Sequence, residues 1–158
     1  MRLFPFIHFI NSLLHIFSFS YLIGASIFLI ILMLKENLNK EEFLKITNKY
    51  TYFSSFFYLL FFITILNFLF TDNAFSYFFK KNPYIKLLIE IYVPFTIGAI
   101  LMSLHLHNKT SKLLKVKLPI LIQKEWRKIK IDLIVILEFL SVIIIIETLI
   151  FYLIYIIS

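Results

Sequence analysis

Four stretches of this chain are each long and apolar enough to cross a lipid bilayer, and that property limits the fold more than any other. A bilayer core is ~30 Å thick, and about 20 apolar residues in a helix span it. The stretches run over residues 4–34, 52–70, 85–106 and 131–157. Their Leu, Ile and Phe runs lack the period-two alternation of a barrel strand. Each is therefore read as an α-helix, which satisfies its own backbone polar groups in lipid. The first is too long for a cleavable signal peptide, and no small-residue cleavage site follows it. The expected architecture is an all-α, integral-membrane four-helix bundle forming one domain over residues 1–158. With 61% of its residues hydrophobic, the chain carries more apolar surface than a soluble core of this size would hide. The absence of cysteine excludes disulfides, thiolate metal ligands and cysteine nucleophiles.

The net charge of +7 gathers between the apolar stretches. Lys35, Lys40, Lys45 and Lys49 separate the first two. Lys109, Lys112, Lys115, Lys117, Lys124, Arg127, Lys128 and Lys130 separate the last two. The opposite side has Arg2, Lys80, Lys81 and Lys86. By the positive-inside rule both basic loops are cytoplasmic and both termini lie outside, which in a bacterial inner membrane is the periplasm. An organelle membrane fits the same pattern. These lysines read as topology determinants and headgroup contacts, with no nucleic-acid role. Residues 35–49 suggest a short interfacial helix continuing into the second span, Pro119 a break in the other basic loop, and Trp126 a headgroup-level anchor.

Polar side chains inside the spans are costly and ask for a reason. On the first span His8, Asn11, His15 and Ser18 recur at three and four residues, with Leu22 and Ser26 or Ala25 continuing them, which puts them on one face turned into the bundle. Two readings of His15 stand side by side: an interhelical hydrogen-bond partner, or a haem, copper or proton-transfer group. On the last span Glu138, Ser141, Ile145, Thr148, Tyr152 and Tyr155 form a second stripe. Glu147 projects to roughly the opposite side of that helix. His15 and Glu147 each lie about 15 Å from the outer end of their helices at ~1.5 Å per residue. Because Glu138 and Glu147 cannot face the same groove, one carboxyl group is expected to meet a neighbour's cation or an imidazole and one to be protonated. Lys86 and Glu90 open the third span one turn apart, and Asn67 lies near the outer end of the second. His105 and His107 sit at the inner end of the third span, too deep to share a site with His15. The candidate site is thus in the outer half, with His15 leading, His8 as a further metal ligand, and Asn11, Glu90 and Glu147 supporting it or moving protons.

The segment from His15 through Gly24 to Phe28, the run Pro83-Tyr84-Ile85-Lys86, the histidines ending the third span and Arg127 before the fourth together carry a likeness. The whole four-span plan resembles the copper-resistance-D-like membrane proteins and the protoporphyrinogen oxidases of the HemJ type. That resemblance implies a b-type haem with His15 and Lys86 as its ligands, copper as another cofactor, and redox chemistry that in the HemJ type is porphyrinogen oxidation. The Asn-Glu-x-Pro ending of the oxidases is missing here, which points to a divergent relative. The expected function is electron transfer or redox chemistry with a membrane-soluble partner. The alternatives are a non-catalytic structural or assembly subunit of a larger membrane complex and, third, a copper or small-solute permease. Homo-oligomerisation is compatible with each.

Overall fold

A computed structural model describes residues 3–35, 39–71, 73–116 and 119–155. Arg2, Lys117 and the last residues of the fourth apolar stretch lie outside them, as does the side chain of Tyr155. Five helices take up all the described residues except Lys35, Asn39 and Asn82. They are α1 (Leu3–Leu34), α2 (Lys40–Thr71), α3 (Asn73–Lys81), α4 (Pro83–Val116) and α5 (Pro119–Tyr155). Helices α1, α2, α4 and α5 are long and apolar enough to cross a membrane, so the protein is an all-α integral-membrane four-helix bundle.

Three of these helices outrun the apolar stretches that announced them, and local chemistry explains where they begin. Asn39 caps α2: its side-chain Oδ1 accepts from the Glu41 N–H at 3.0 Å, and Glu41 and Glu42 lie in the positive first turn. Lys40–Lys49 is consequently the first part of α2, helical and continuous with the second span as its pattern suggests, while 36–38 lie outside the described residues. Asn82 does the same for α4, accepting from Tyr84 N–H at 3.0 Å, and Pro83 occupies the first helical position, where its missing N–H costs nothing. Pro119 likewise starts α5 and does not break a loop, which puts that helix's start well before residue 131. The short helix α3 has no counterpart in the sequence reading. It ends in Lys80 and Lys81 and packs against α2 and α4.

The packing order is α1 on α2, α2 on α4 and α4 on α5, while the backbones of α1 and α5 barely meet. The bundle is therefore an arc of four helices with one open seam. Its core is the α2–α4 contact, where Tyr58, Phe61 and Tyr92 are fully or almost fully buried. At the basic end Asn48 of α2 donates to the His107 carbonyl at 3.0 Å and reaches Thr110 and Ser111 on α4. Lys109 bonds Asp132 at 2.8 Å, tying α4 to α5, and Trp126 packs edge-on against Phe43. His105 is exposed and His107 half-buried in this contact, so both serve the basic end.

The two glycines differ in what surrounds them. A Cβ on Gly98 would sit 3.1 Å from the Phe139 ring, whereas one on Gly24 would meet nothing within 4 Å. Gly98→Val is expected to lower stability by about 1–3 kcal/mol through overpacking of α4 on α5. Gly24→Ala is expected to be neutral or to gain up to about 1 kcal/mol from better helix propensity. Thermal unfolding in detergent measures both.

Candidate functional site

The open seam contains the site. Between α1 and α5 lies a cleft of about 700 Å³, within the ~300–1,000 Å³ range of small-molecule pockets. Ile16, Phe19, Phe68 and Phe151 give it apolar walls, and Thr148 and Tyr152 stand along α5 at its rim. At its floor are His15 and Glu147, 7% and 5% exposed.

Each polar group there is held by a named bond. His15 Nε2 meets Glu147 Oε1, a side-chain hydrogen bond that crosses the seam. His15 Nδ1 contacts Thr64 Oγ1 at 2.8 Å, and Thr64 gives its own hydroxyl proton to the Phe61 carbonyl at 2.7 Å. Thr64 must then accept, so Nδ1 carries a hydrogen and donates it. That fixes the rest of the logic. Either Nε2 has a lone pair and a protonated Glu147 donates to it, or an imidazolium donates to a carboxylate. In both states a single proton lies between Nε2 and Oε1. Asn11 donates to the Thr64 backbone carbonyl at 3.1 Å, which locks α1 to α2 beside the histidine. The imidazole stacks on Phe61, centroids 4.6 Å apart, with Phe68 edge-on at 5.6 Å. Its rotamer is fixed on every side.

One atom of the His15–Glu147 pair lacks a partner. Glu147 Oε2 is buried and accepts no hydrogen bond from any described residue. Tyr92 also has a buried, unbonded hydroxyl. A buried acceptor left empty costs about 1–3 kcal/mol. It is a place for a donor, and Glu147 lines the cleft.

The residues singled out in the sequence divide accordingly. The α1 stripe is turned inward as expected, with Asn11, His15, Ser18, Leu22 and Ser26 buried and His8 half-buried in the cleft lining. Glu147 joins His15. Lys86 and Glu90 do not: Lys86 is 62% exposed and pairs with Glu90 at 3.9 Å outside the cleft lining. The α5 stripe from Glu138 to Tyr152 faces outward. The structure does not bring Lys86 to His15: both ring nitrogens of His15 are bonded within the bundle, and Lys86 is not among the residues of the cleft. No three His, Asp or Glu side chains among the described residues stand together as a metal site. Thr64 and Tyr92 were not foreseen. Thr64 is the one polar residue in the run Phe61-Phe-Ile-Thr-Ile-Leu66, and that isolation was the available signal.

The chain matches no protein-family model, no curated protein and no solved structure.

Proposed function

We propose that the protein binds a membrane-soluble redox partner with a ring-borne hydroxyl, of the quinol class, in the α1–α5 cleft and exchanges one proton with it through Glu147 and His15. The unpartnered Glu147 Oε2 carries this reading, since a ligand hydroxyl would fill it. The apolar, aromatic walls suit a flat ring and tail arriving from lipid, and the open seam gives them a lateral way in. Donation to Oε2 makes that oxygen the proton's receiver and lets the proton at Oε1 settle on Nε2, so ligand and histidine are coupled through one carboxyl group. Asn11 and Thr64 act as positioning residues, holding the imidazole so that Nε2 addresses Glu147. The basic end would face the cytoplasm, which puts the cleft toward the outer leaflet.

A short-tailed benzoquinol and its dimethyl ether are the probes. The quinol is expected to bind with proton exchange, read by calorimetry in buffers of different ionisation enthalpy. The ether is expected to bind at least about tenfold more weakly, the loss of one buried hydrogen bond. In Glu147→Gln the amide can still donate to His15, so the fold is kept while the proton exchange disappears. Equal binding of the ether, or unchanged proton exchange in Glu147→Gln, overturns the reading.

A further inference from the structure

The lipid-facing sides of α1 and α2 are made almost wholly of Phe, Ile and Leu, but the exposed face of α5 is not. Ile134, Glu138, Ser141, Ile145, Thr148 and Tyr152 are all exposed, at spacings of four, three, four, three and four. That is the repeat of a coiled-coil seam, held here across the length of the span. Ser141 and Thr148 bond their hydroxyls back to the Leu137 and Ile144 carbonyls, at 3.0 and 2.8 Å. They thereby present small, self-satisfied surfaces on either side of Ile145, the kind that lets membrane helices approach closely. Glu138 is different. It lies about 12 Å beyond Lys130 at ~1.5 Å per residue, and no described residue bonds or pairs with it. A carboxyl group facing hydrocarbon at that depth is expensive unless something meets it.

We propose that this face is covered by a second copy of the chain, α5 packing along α5 about a two-fold axis normal to the membrane. Two copies share one orientation in the bilayer, so every residue of the seam meets its own image at the same depth. The image of Glu138 is a carboxyl group, and a protonated carboxyl group is both donor and acceptor for another. The exposed cations stand toward the ends of the helices, Lys86 beside Glu90 on α4 and Lys112, Lys115, Lys124, Arg127 and Lys128 at the basic end, and none of them is bonded to Glu138. Complementarity in depth and hydrogen bonding thus favours self-pairing over a cationic partner helix. Thr148 and Tyr152 belong both to the seam and to the rim of the cleft, so the second copy's α5 stands beside the cleft mouth and narrows it.

The sequence contains no cysteine, which makes the test direct. Single replacements Ser141→Cys and Ile145→Cys on the seam, and Leu101→Cys on the exposed face of α4, are oxidised in membranes holding the full chain. Dimer-sized product is expected several-fold more at the two seam positions than at Leu101. In the Ile145→Cys background, Glu138→Gln keeps the yield and Glu138→Leu lowers it several-fold. Glu138 is exposed, so these replacements leave the monomer's packing intact, and an unchanged melting curve verifies it. Equal yield at Leu101, no dimer at any position, a product containing a different protein, or an undiminished yield in Glu138→Leu overturns the proposal. None of these readouts uses a cleft ligand, so they stand or fall separately from the quinol reading.

Discussion

Replacing either His15 or Glu147 by Leu is expected to destabilise the bundle by about 3 kcal/mol, and replacing both by much less than twice that. Each single change strands its former partner: the lone imidazole keeps Thr64 but loses its second bond, and the lone carboxyl group has both oxygens empty at the floor of an apolar cleft. The double change removes both polar groups together. Ordinary interhelical hydrogen bonds in membranes couple by ~0.6 kcal/mol on average and ~1.7 kcal/mol at most. The coupling here is expected at about 2–3 kcal/mol, because the pair is buried and backed by the Nδ1–Thr64 bond, and breaking a buried ion pair is that costly. A double-mutant cycle by reversible unfolding in mixed micelles measures it. A coupling near the membrane average would mean an ordinary neutral hydrogen bond with no charge-assisted character.

Phe61→Ala is expected to be the most damaging single apolar change, at about 3–5 kcal/mol. Phe61 is fully buried, and its ring on α2 faces two other helices: it stacks on His15 and lies 5.9 Å from Phe19, both on α1, and 6.3 Å from Tyr92 on α4. Its removal leaves a cavity between α1, α2 and α4 and also frees one face of the imidazole. Phe61→Leu restores most of the volume without the flat plate, so it should recover most of the stability. It should recover less of any ligand affinity, since His15 can then rock away from Glu147. Comparing the two variants by melting temperature and quinol binding separates packing from positioning. Equal recovery of both in Phe61→Leu would assign the ring to packing alone.

Much of this fold was written in the hydropathy of the chain. Leu, Ile and Phe runs announced four spans, and the spacing from His8 to Ser26 identified the inward face of α1. Counting residues from the helix ends gave His15 and Glu147 the same depth, and they prove to be bonded. Hydropathy missed the helix starts at Pro83 and Pro119, while the charged residues 35–49 were read as helix from their mixed pattern. Capping by Asn39 and Asn82 and the first-turn prolines decide where the helices begin, and the charged start of α5 reads as loop when only oil is counted. The inward or outward sense of the α5 stripe was equally hidden. Glu138 and Glu147 sit on opposite sides of one helix, and nothing local says which side meets α1. Likewise Lys86 lay at a depth that allowed it to approach His15, but its side of α4 turns away from the cleft. Periodicity says that a helix has faces, and only the packing of its neighbours assigns them.

The bond between His15 and Glu147 joins the first spanning helix to the last across 132 residues of chain. A ribosome adding about 5–20 residues per second needs roughly 7–26 s to make that much polypeptide. For that interval the imidazole of α1 waits for Glu147, gaining Thr64 only after 49 further residues, and the arc of helices grows one neighbour at a time. Every other seam closes between elements made in quick succession. The cleft can exist only once α5 is in place, so the site is the last contact of the described bundle to form. A chain lacking α5 would leave Nε2 of His15 without its partner while Nδ1 keeps Thr64.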